Sequence, residues 1–189
     1  ALSYVPPKRP DGIRTTFIAS SLLKKELWTA VAGFPDLRAA EDLMFMEQGK
    51  ALGFSSALAP KAVIHWKLRP DLSSTFRKFV LYSKHNVWAG RQWDWHHGIL
   101  KQYLLLVPFL MLSVFHSRWW LAALPLWLLA RTLKRIFTHR YEFGVGLLFN
   151  PAVIVGVAGL VIVIDAATFL GWIEALTGNG KSESATVRE

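Results

Sequence analysis

Three long, nearly uncharged stretches follow Gly98 and limit what this chain can fold into. They cover residues 99–115, 119–133 and 143–164. A helix needs roughly 20 apolar residues to cross a bilayer core, and about 17 at the short end. The third stretch meets this requirement, the first is marginal and the second is short. Soluble core helices usually keep a polar face, which these stretches scarcely have, so the sequence favours membrane helices over a buried helical hairpin.

Basic and aromatic residues border these apolar stretches. The chain carries a net charge of +9, nine Trp and 52% hydrophobic residues. Trp and basic side chains gather where a helix leaves the bilayer and meets anionic headgroups. Nucleic-acid binding explains the charge less economically, because the cations adjoin the apolar stretches and form no separate basic domain. We therefore expect membrane lipid as a partner, and no nucleic acid. The absence of Cys excludes disulfides and thiolate chemistry.

The links between the apolar stretches predict how they are oriented. Residues 116–118 join the first two and have two Trp beside them, which predicts a tight hairpin at headgroup level. Residues 131–140 are dense in Arg and Lys. Positive loops stay in the cytoplasm, so this loop and the chain before Gly98 are expected on the cytoplasmic face of a plasma or inner membrane.

Two features of the last stretch add detail. Asn150-Pro151 predicts a kink or a late start of the third helix, because Pro lacks an N–H donor. Asp165 is interpreted as the place where this helix emerges from the apolar layer and continues along the interface.

Two adjacent carboxylates, Glu41 and Asp42, are the strongest sign of chemistry in the first half. They follow the turn-forming Pro35-Asp36 and precede an apolar run, so they fall in the first turn of a helix. Unpaired N–H groups and the helix dipole favour a charged carboxylate there. Such a carboxylate can act as a general base. The alternative is that the two acids only cap the helix.

The order of elements around the acids carries a resemblance. Residues 14–23 favour a strand, 24–31 a helix that ends at Gly33, and 62–66 a short buried strand with His65 at its end. The segments that carry the resemblance are Ser20 to Trp28, Ala32-Gly33-Phe34-Pro35, Ala40-Glu41-Asp42-Leu43 and Ala59-Pro60-Lys61-Ala62-Val63-Ile64-His65. In this order they resemble the C-terminal half of the catalytic domain of family 2 glycosyltransferases, which are inverting enzymes of the GT-A fold that often have C-terminal membrane helices.

The resemblance implies an α/β fold, the C-terminal part of a GT-A nucleotide-diphospho-sugar transferase domain, followed by an α-helical transmembrane region. It places half of that catalytic domain in residues 1–70 and basic, aromatic interfacial helices in 71–98. Transmembrane and interfacial helices then occupy 99–176, and a disordered tail follows at 177–189.

Roles for individual residues also follow from the resemblance. Asp42 would take the proton of the acceptor hydroxyl, and Glu41 would orient the acceptor or the base. His65 would help to hold a divalent cation, Mg²⁺ or Mn²⁺, on the donor diphosphate, although a strand-end His is also often only hydrogen-bonded. The residues expected to bind substrate are Lys84, Arg69, Trp66 and Tyr82, with Lys84 expected to contact a phosphate.

The nucleotide-binding half of such an enzyme is not visible in the sequence. No Asp-x-Asp motif and no Gly-rich phosphate loop occurs, so we expect a fragment that is inactive alone. The expected function is transfer of a sugar, with inversion, from a nucleotide-sugar donor to a polysaccharide or lipid-linked acceptor, as in cell-envelope polysaccharide biosynthesis. The alternative is a non-catalytic membrane anchor or scaffold of a larger complex.

Overall fold

The computed structural model describes residues 21–57, 59, 61 and 71–178, and every regular element in them is a helix. The α-helices are α1 Lys25–Val31, α2 Glu41–Ala51, α3 Leu72–Trp88, α4 Gln92–Leu104, α5 Val107–Phe115, α6 Ala123–Thr138, α7 Arg140–Phe143 and α8 Pro151–Leu176. Two short 3₁₀ helices, Arg118–Ala122 and Val145–Phe149, precede α6 and α8.

The predicted α/β fold is wrong for the part of the chain that the structure describes. Residues 21–23, at the end of the first predicted strand, have no regular structure, and the described residues contain no strand. The second predicted strand, 62–66, lies outside the described residues. Helices α1 and α2 pack on each other, with the Trp28 and Phe45 ring centroids 5.7 Å apart, and not on a sheet.

Three aromatic rings form the small core of the α1–α2 unit. Trp28 meets Phe34 edge-on with 5.1 Å between ring centroids, and Phe34 lies 4.9 Å from Phe45. The Phe45 side chain is fully buried. Gly33 ends α1 with a φ of 81°, and a Cβ there would lie 3.0 Å from the Trp28 ring. The predicted helix end at Gly33 is confirmed, and its physical reason is both the left-handed backbone and the nearby indole.

Two helical segments are long and apolar enough to cross a membrane by length and composition. They are Gln92–Phe115, which contains α4 and α5, and α8 itself. Only 6% of the most apolar window of the first and 28% of that of the second is buried. Their apolar side chains therefore face outward, which favours membrane association. The first segment is longer than expected because its helix begins at Gln92 and not at residue 99.

The predicted hairpin turn lies between α5 and α6. Helix α5 ends at Phe115, and Ser117 then accepts a hydrogen bond from the Trp119 N–H at 3.4 Å to start a 3₁₀ helix. Helix α6 has 16 residues and is therefore about 24 Å long. It is shorter than the roughly 30 Å apolar core of a bilayer, as the sequence indicated for the second stretch.

Helix α8 is the central element of the bundle. It begins at Pro151, and the Asn150 side chain accepts hydrogen bonds from the next two backbone N–H groups at 3.1 and 3.3 Å. The predicted late start of the third helix is thus confirmed. Helix α3 lies along the C-terminal half of α8, where Gly171 leaves no space for a side chain. A Cβ at Gly171 would overlap the Val80 carbonyl oxygen and lie 2.8 Å from the Ser83 Cβ.

Helix α6 contacts the N-terminal half of α8. Its buried Ile136 packs against Val157 and Val161 in the N-terminal half of α8. Ile136 of the basic 131–140 segment therefore contacts α8 nearer its start than the α3 region does, while Arg131 pairs with Asp165 near the middle of that helix. This packing does not support the expectation that both segments share one face of the membrane.

Candidate functional site

The acid pair stands at the start of α2, as the sequence predicted. Ala40 precedes the helix with a φ of 67° and provides no side-chain cap. Asp42 Oδ1 accepts a hydrogen bond from the Leu43 N–H at 2.8 Å. Glu41 Oε2 is buried and has no hydrogen-bond partner among the described residues. A buried acceptor without a partner is costly.

The loop before the acids is fastened to α3 by one hydrogen bond. The backbone N–H of Arg38 donates to His85 Nδ1 at 3.1 Å. His85 is buried, and its ring lies edge-on to Trp88 at 4.8 Å. Burial lowers the pKa of His85, and the positive charges of Arg38 and Lys84 lower it further. The imidazole therefore stays neutral near pH 7, and Nδ1 keeps the lone pair that this bond requires.

A second contact ties the body of α2 to the start of α4. Arg91 Nη1 donates to both carboxylate oxygens of Glu47 at 2.7 and 2.5 Å, and Nη2 lies 3.4 Å from Asp94. Glu47 is exposed, so this pair contributes little to stability by itself. This pair and the Arg38–His85 bond are two contacts that join the α2 region to α3 and α4.

Two predicted substrate-binding residues belong to the α3 surface. The Lys84 Nζ lies 2.6 Å from Glu174 Oε2 on α8, and the Lys84 side chain is only 12% exposed. Its charge is thus neutralised inside the bundle and does not point to an open phosphate site. Tyr82 packs edge-on against Phe79 and Trp95, with ring centroids 5.9 and 6.1 Å away.

The remaining predicted site residues, His65, Trp66 and Arg69, lie outside the described residues. Within the part of the chain that the structure describes, no group of three His, Asp or Glu side chains could hold a metal ion. The proposed contact of His65 with a divalent cation, Mg²⁺ or Mn²⁺, therefore stays a prediction.

A buried polar network that the sequence analysis missed joins α3, α4 and α8. Ser83 Oγ donates to the Thr168 carbonyl oxygen at 2.6 Å and lies 2.7 Å from His96 Nε2. His96 Nδ1 lies 2.8 Å from the Gln92 carbonyl oxygen, and its ring stacks on Trp172 at 4.6 Å. Ser83 and His96 are fully buried. The network therefore has a structural role, because no substrate can reach the hydroxyl.

A second missed cluster lies among the apolar helices. The Arg131 guanidinium binds both carboxylate oxygens of Asp165, and the Tyr103 hydroxyl donates to the same carboxylate at 2.9 Å. Arg131 also lies over the Trp127 ring, 4.6 Å from its centroid. Helix α8 continues unbroken through Asp165, and the interpretation of this acid as the place where the helix emerges from the apolar layer stays a prediction. The signal in the sequence was an isolated anion, Asp165, in one apolar stretch and a cation, Arg131, at the end of another.

Comparisons with protein-family models, curated proteins and solved structures found no match for this chain. The resemblance to family 2 glycosyltransferases is therefore not supported by any family model. The all-helical architecture of the described residues also contradicts the GT-A fold. We correct that assignment: within the described residues, the structure defines a helical protein with two segments suited to a membrane by length and composition and an acid pair at the start of α2.

Proposed function

We propose that this chain is a membrane-anchored helical module in which Asp42 acts as a general base for sugar transfer from a nucleotide donor to a polysaccharide or lipid-linked acceptor. The observation that carries the proposal is the fastening of α2. The loop before its acid-bearing end is hydrogen-bonded through the Arg38 N–H to His85 on α3, and Glu47 in its body pairs with Arg91 just before α4. The acids are thereby held near the end of the bundle where α4 begins and α8 ends.

Sugar transfer requires few groups from this part of the protein. Asp42 would remove the proton of an acceptor hydroxyl as that oxygen attacks the anomeric carbon of the donor. The bond to the nucleoside diphosphate would break on the opposite side, which inverts the anomeric centre. Glu41, which stands next to Asp42 in the first turn of α2, would orient the acceptor or the base. A divalent cation would neutralise the leaving diphosphate, and its ligands would come from outside the described residues, His65 included.

The proposed setting is a plasma or inner membrane, with the α1–α3 region facing the cytoplasm; this side does not rest on the basic 131–140 segment, whose Ile136 packs nearer the start of α8. If the segment Gln92–Phe115 and α8 both cross the bilayer, the start of α4 and the end of α8 lie on one side. The Lys84–Glu174 pair and the His96–Trp172 stacking support this, because both join the α3–α4 region to the end of α8.

Activity in membranes that contain the full-length protein tests this proposal. A panel of labelled nucleotide sugars would be supplied, and transfer to membrane lipid or polysaccharide measured. We expect Asp42→Asn to lower transfer by about 10²-fold to 10⁴-fold, the usual effect of losing a general base. Glu26→Gln, which removes an exposed acid of α1, is the matched control and should leave transfer unchanged. Near-normal turnover of Asp42→Asn would exclude Asp42 as the base.

The second candidate is a non-catalytic membrane anchor or scaffold. The hydrogen bond from the Leu43 N–H to Asp42 Oδ1 favours this second candidate. An acid whose only role is to stabilise the start of its own helix makes such a bond. The Asp42→Asn variant distinguishes the two functions. A stabilising role predicts that Asp42→Asn lowers the unfolding midpoint, whereas a base predicts lost transfer at an unchanged midpoint.

A further inference from the structure

A rigid arginine lies where α6 passes into α7. The Arg140 guanidinium carbon is 4.4 Å from the centroid of the Phe137 ring and 4.3 Å from that of Tyr141. Its Nη1 donates to the Phe137 carbonyl oxygen at 3.2 Å, and its Nη2 to the Tyr141 hydroxyl at 3.0 Å. Two aromatic rings and two hydrogen bonds therefore hold the cation in one orientation. We call Lys134, Arg135, Phe137, Arg140 and Tyr141 the α6–α7 corner.

Three cations of this corner have no ion-pair partner among the residues that the structure describes. Elsewhere in the bundle, cations such as Arg131, Arg91 and Lys84 are paired with carboxylates. Among the described residues, no carboxylate lies within ion-pair distance of Lys134, Arg135 or Arg140. The nearby Glu142 lies 3.6 Å from the Nδ1 of the buried His139. Three basic side chains thus share one end of α6 and are left for an external anion.

Exposed aromatic rings surround these cations. Phe137 is 49% exposed, Tyr141 51% and Phe143 42%. The corner also adjoins the first turns of α8, because Ile136 packs against Val157. Aromatic rings next to cations at the end of an apolar helix match the level of a bilayer where phosphates meet acyl chains.

We propose that the α6–α7 corner binds the headgroup phosphate of an anionic phospholipid. Arg140 presents its remaining N–H groups to the phosphate in a fixed plane, as guanidinium–phosphate pairs prefer. Lys134 and Arg135 add charge, while Phe137 and Tyr141 contact the glycerol and upper acyl region. The site requires insertion of the chain in a membrane and is independent of sugar transfer, so either proposal can fail while the other stands.

Native mass spectrometry of the full-length protein in detergent tests the site. Phosphatidylglycerol or phosphatidylcholine would be titrated, and the association constant of the first bound lipid measured. We expect a preference for phosphatidylglycerol that falls about fivefold in Arg140→Gln, the effect of one basic residue at an anionic surface. Arg118→Gln, an exposed arginine before α6, is the matched control and should keep the full preference.

Three further measurements make the result decisive. Lys134→Gln changes an exposed side chain that does not affect folding, and it should also weaken the preference. Arg140→Lys keeps the charge but loses the fixed plane, and we expect it to bind less tightly than the wild type. Inorganic phosphate should not displace the lipid, since it has no apolar part that could contact the Phe137 and Tyr141 rings. The proposal would be overturned if Arg140→Gln kept the wild-type lipid preference or if Arg118→Gln lost as much of that preference. Complete displacement of the lipid by inorganic phosphate would also overturn it.

Discussion

Arg131 and Asp165 form an ion pair with two contacts that joins α6 to α8 between apolar helices. The second contact, from Nη2 to Oδ1, is 3.1 Å long, and the two side chains are only 16% and 6% exposed. Neither charge can find enough water at this depth, so each depends on the other. The pair therefore fixes the register of α6 against α8 more than it adds stability over an apolar contact.

Removing one partner of this ion pair should destabilise the protein much more than removing both. Arg131→Leu leaves the Asp165 charge buried and alone, which we expect to lower the free energy of unfolding by about 3–5 kcal/mol. The double variant Arg131→Leu, Asp165→Leu should recover most of that loss. Unfolding by a denaturing detergent, followed by circular dichroism, measures all three proteins. A double variant as unstable as the single one would show that the charges are not coupled.

The close approach of α3 and α8 predicts a difference between two glycines of the same helix. Gly171→Ala places a methyl group against the Val80 carbonyl oxygen, so the helices must separate. We expect a loss of about 1–3 kcal/mol or more, as for overpacked cores. At Gly159 no atom lies within 4 Å of an added Cβ, so Gly159→Ala should be neutral or stabilising by up to about 1 kcal/mol. The two variants would be compared by thermal unfolding in mild detergent. Equal unfolding midpoints would contradict the close approach of α3 and α8 at Gly171.

The Arg38–His85 bond predicts a pH-dependent attachment of α2. The pKa of His85 lies below its unfolded value of 6.5. Its stabilising effect is therefore fully present above pH 6.5 and is lost as the pH falls through the folded-state pKa, because protonation removes the Nδ1 acceptor. Hydrogen exchange of the Arg38 amide should speed up over that range.

His85→Asn gives a sharper test of the same bond. The Asn side chain offers a carbonyl oxygen that can accept the Arg38 N–H but does not titrate, so amide exchange should lose this pH dependence. His97→Asn removes an exposed histidine of α4 and serves as the control, with the wild-type profile expected. A profile that is unchanged in His85→Asn would assign the effect to another group.

Local features of the fold could be predicted from the sequence. The end of α1 at Gly33, the start of α2 at Glu41 and the start of α8 at Asn150-Pro151 follow from residue types that act on their own neighbours. The short 116–118 hairpin link was readable for the same reason. Each of these rules needs only a few adjacent residues.

The remaining features depend on distant partners and could not be predicted. Short helices such as α1 look the same whether they pack on a sheet or on another helix, so their pattern did not exclude an α/β fold. The role of Asp165 is set by Arg131, 34 positions away. Lys84 looked available for a phosphate because Glu174, which binds it, is remote in the sequence.

The central place of α8 has a consequence for synthesis. The contact between Ser83 and Thr168 spans 85 positions, so α3 leaves the ribosome long before the helix that covers it exists. Until then the surface of α3 that packs on α8 is uncovered in the newly made chain, and α8, the last helix of the described residues, covers it. A premature stop before residue 151 would therefore leave a partly assembled product for quality-control proteases, not a shorter working protein.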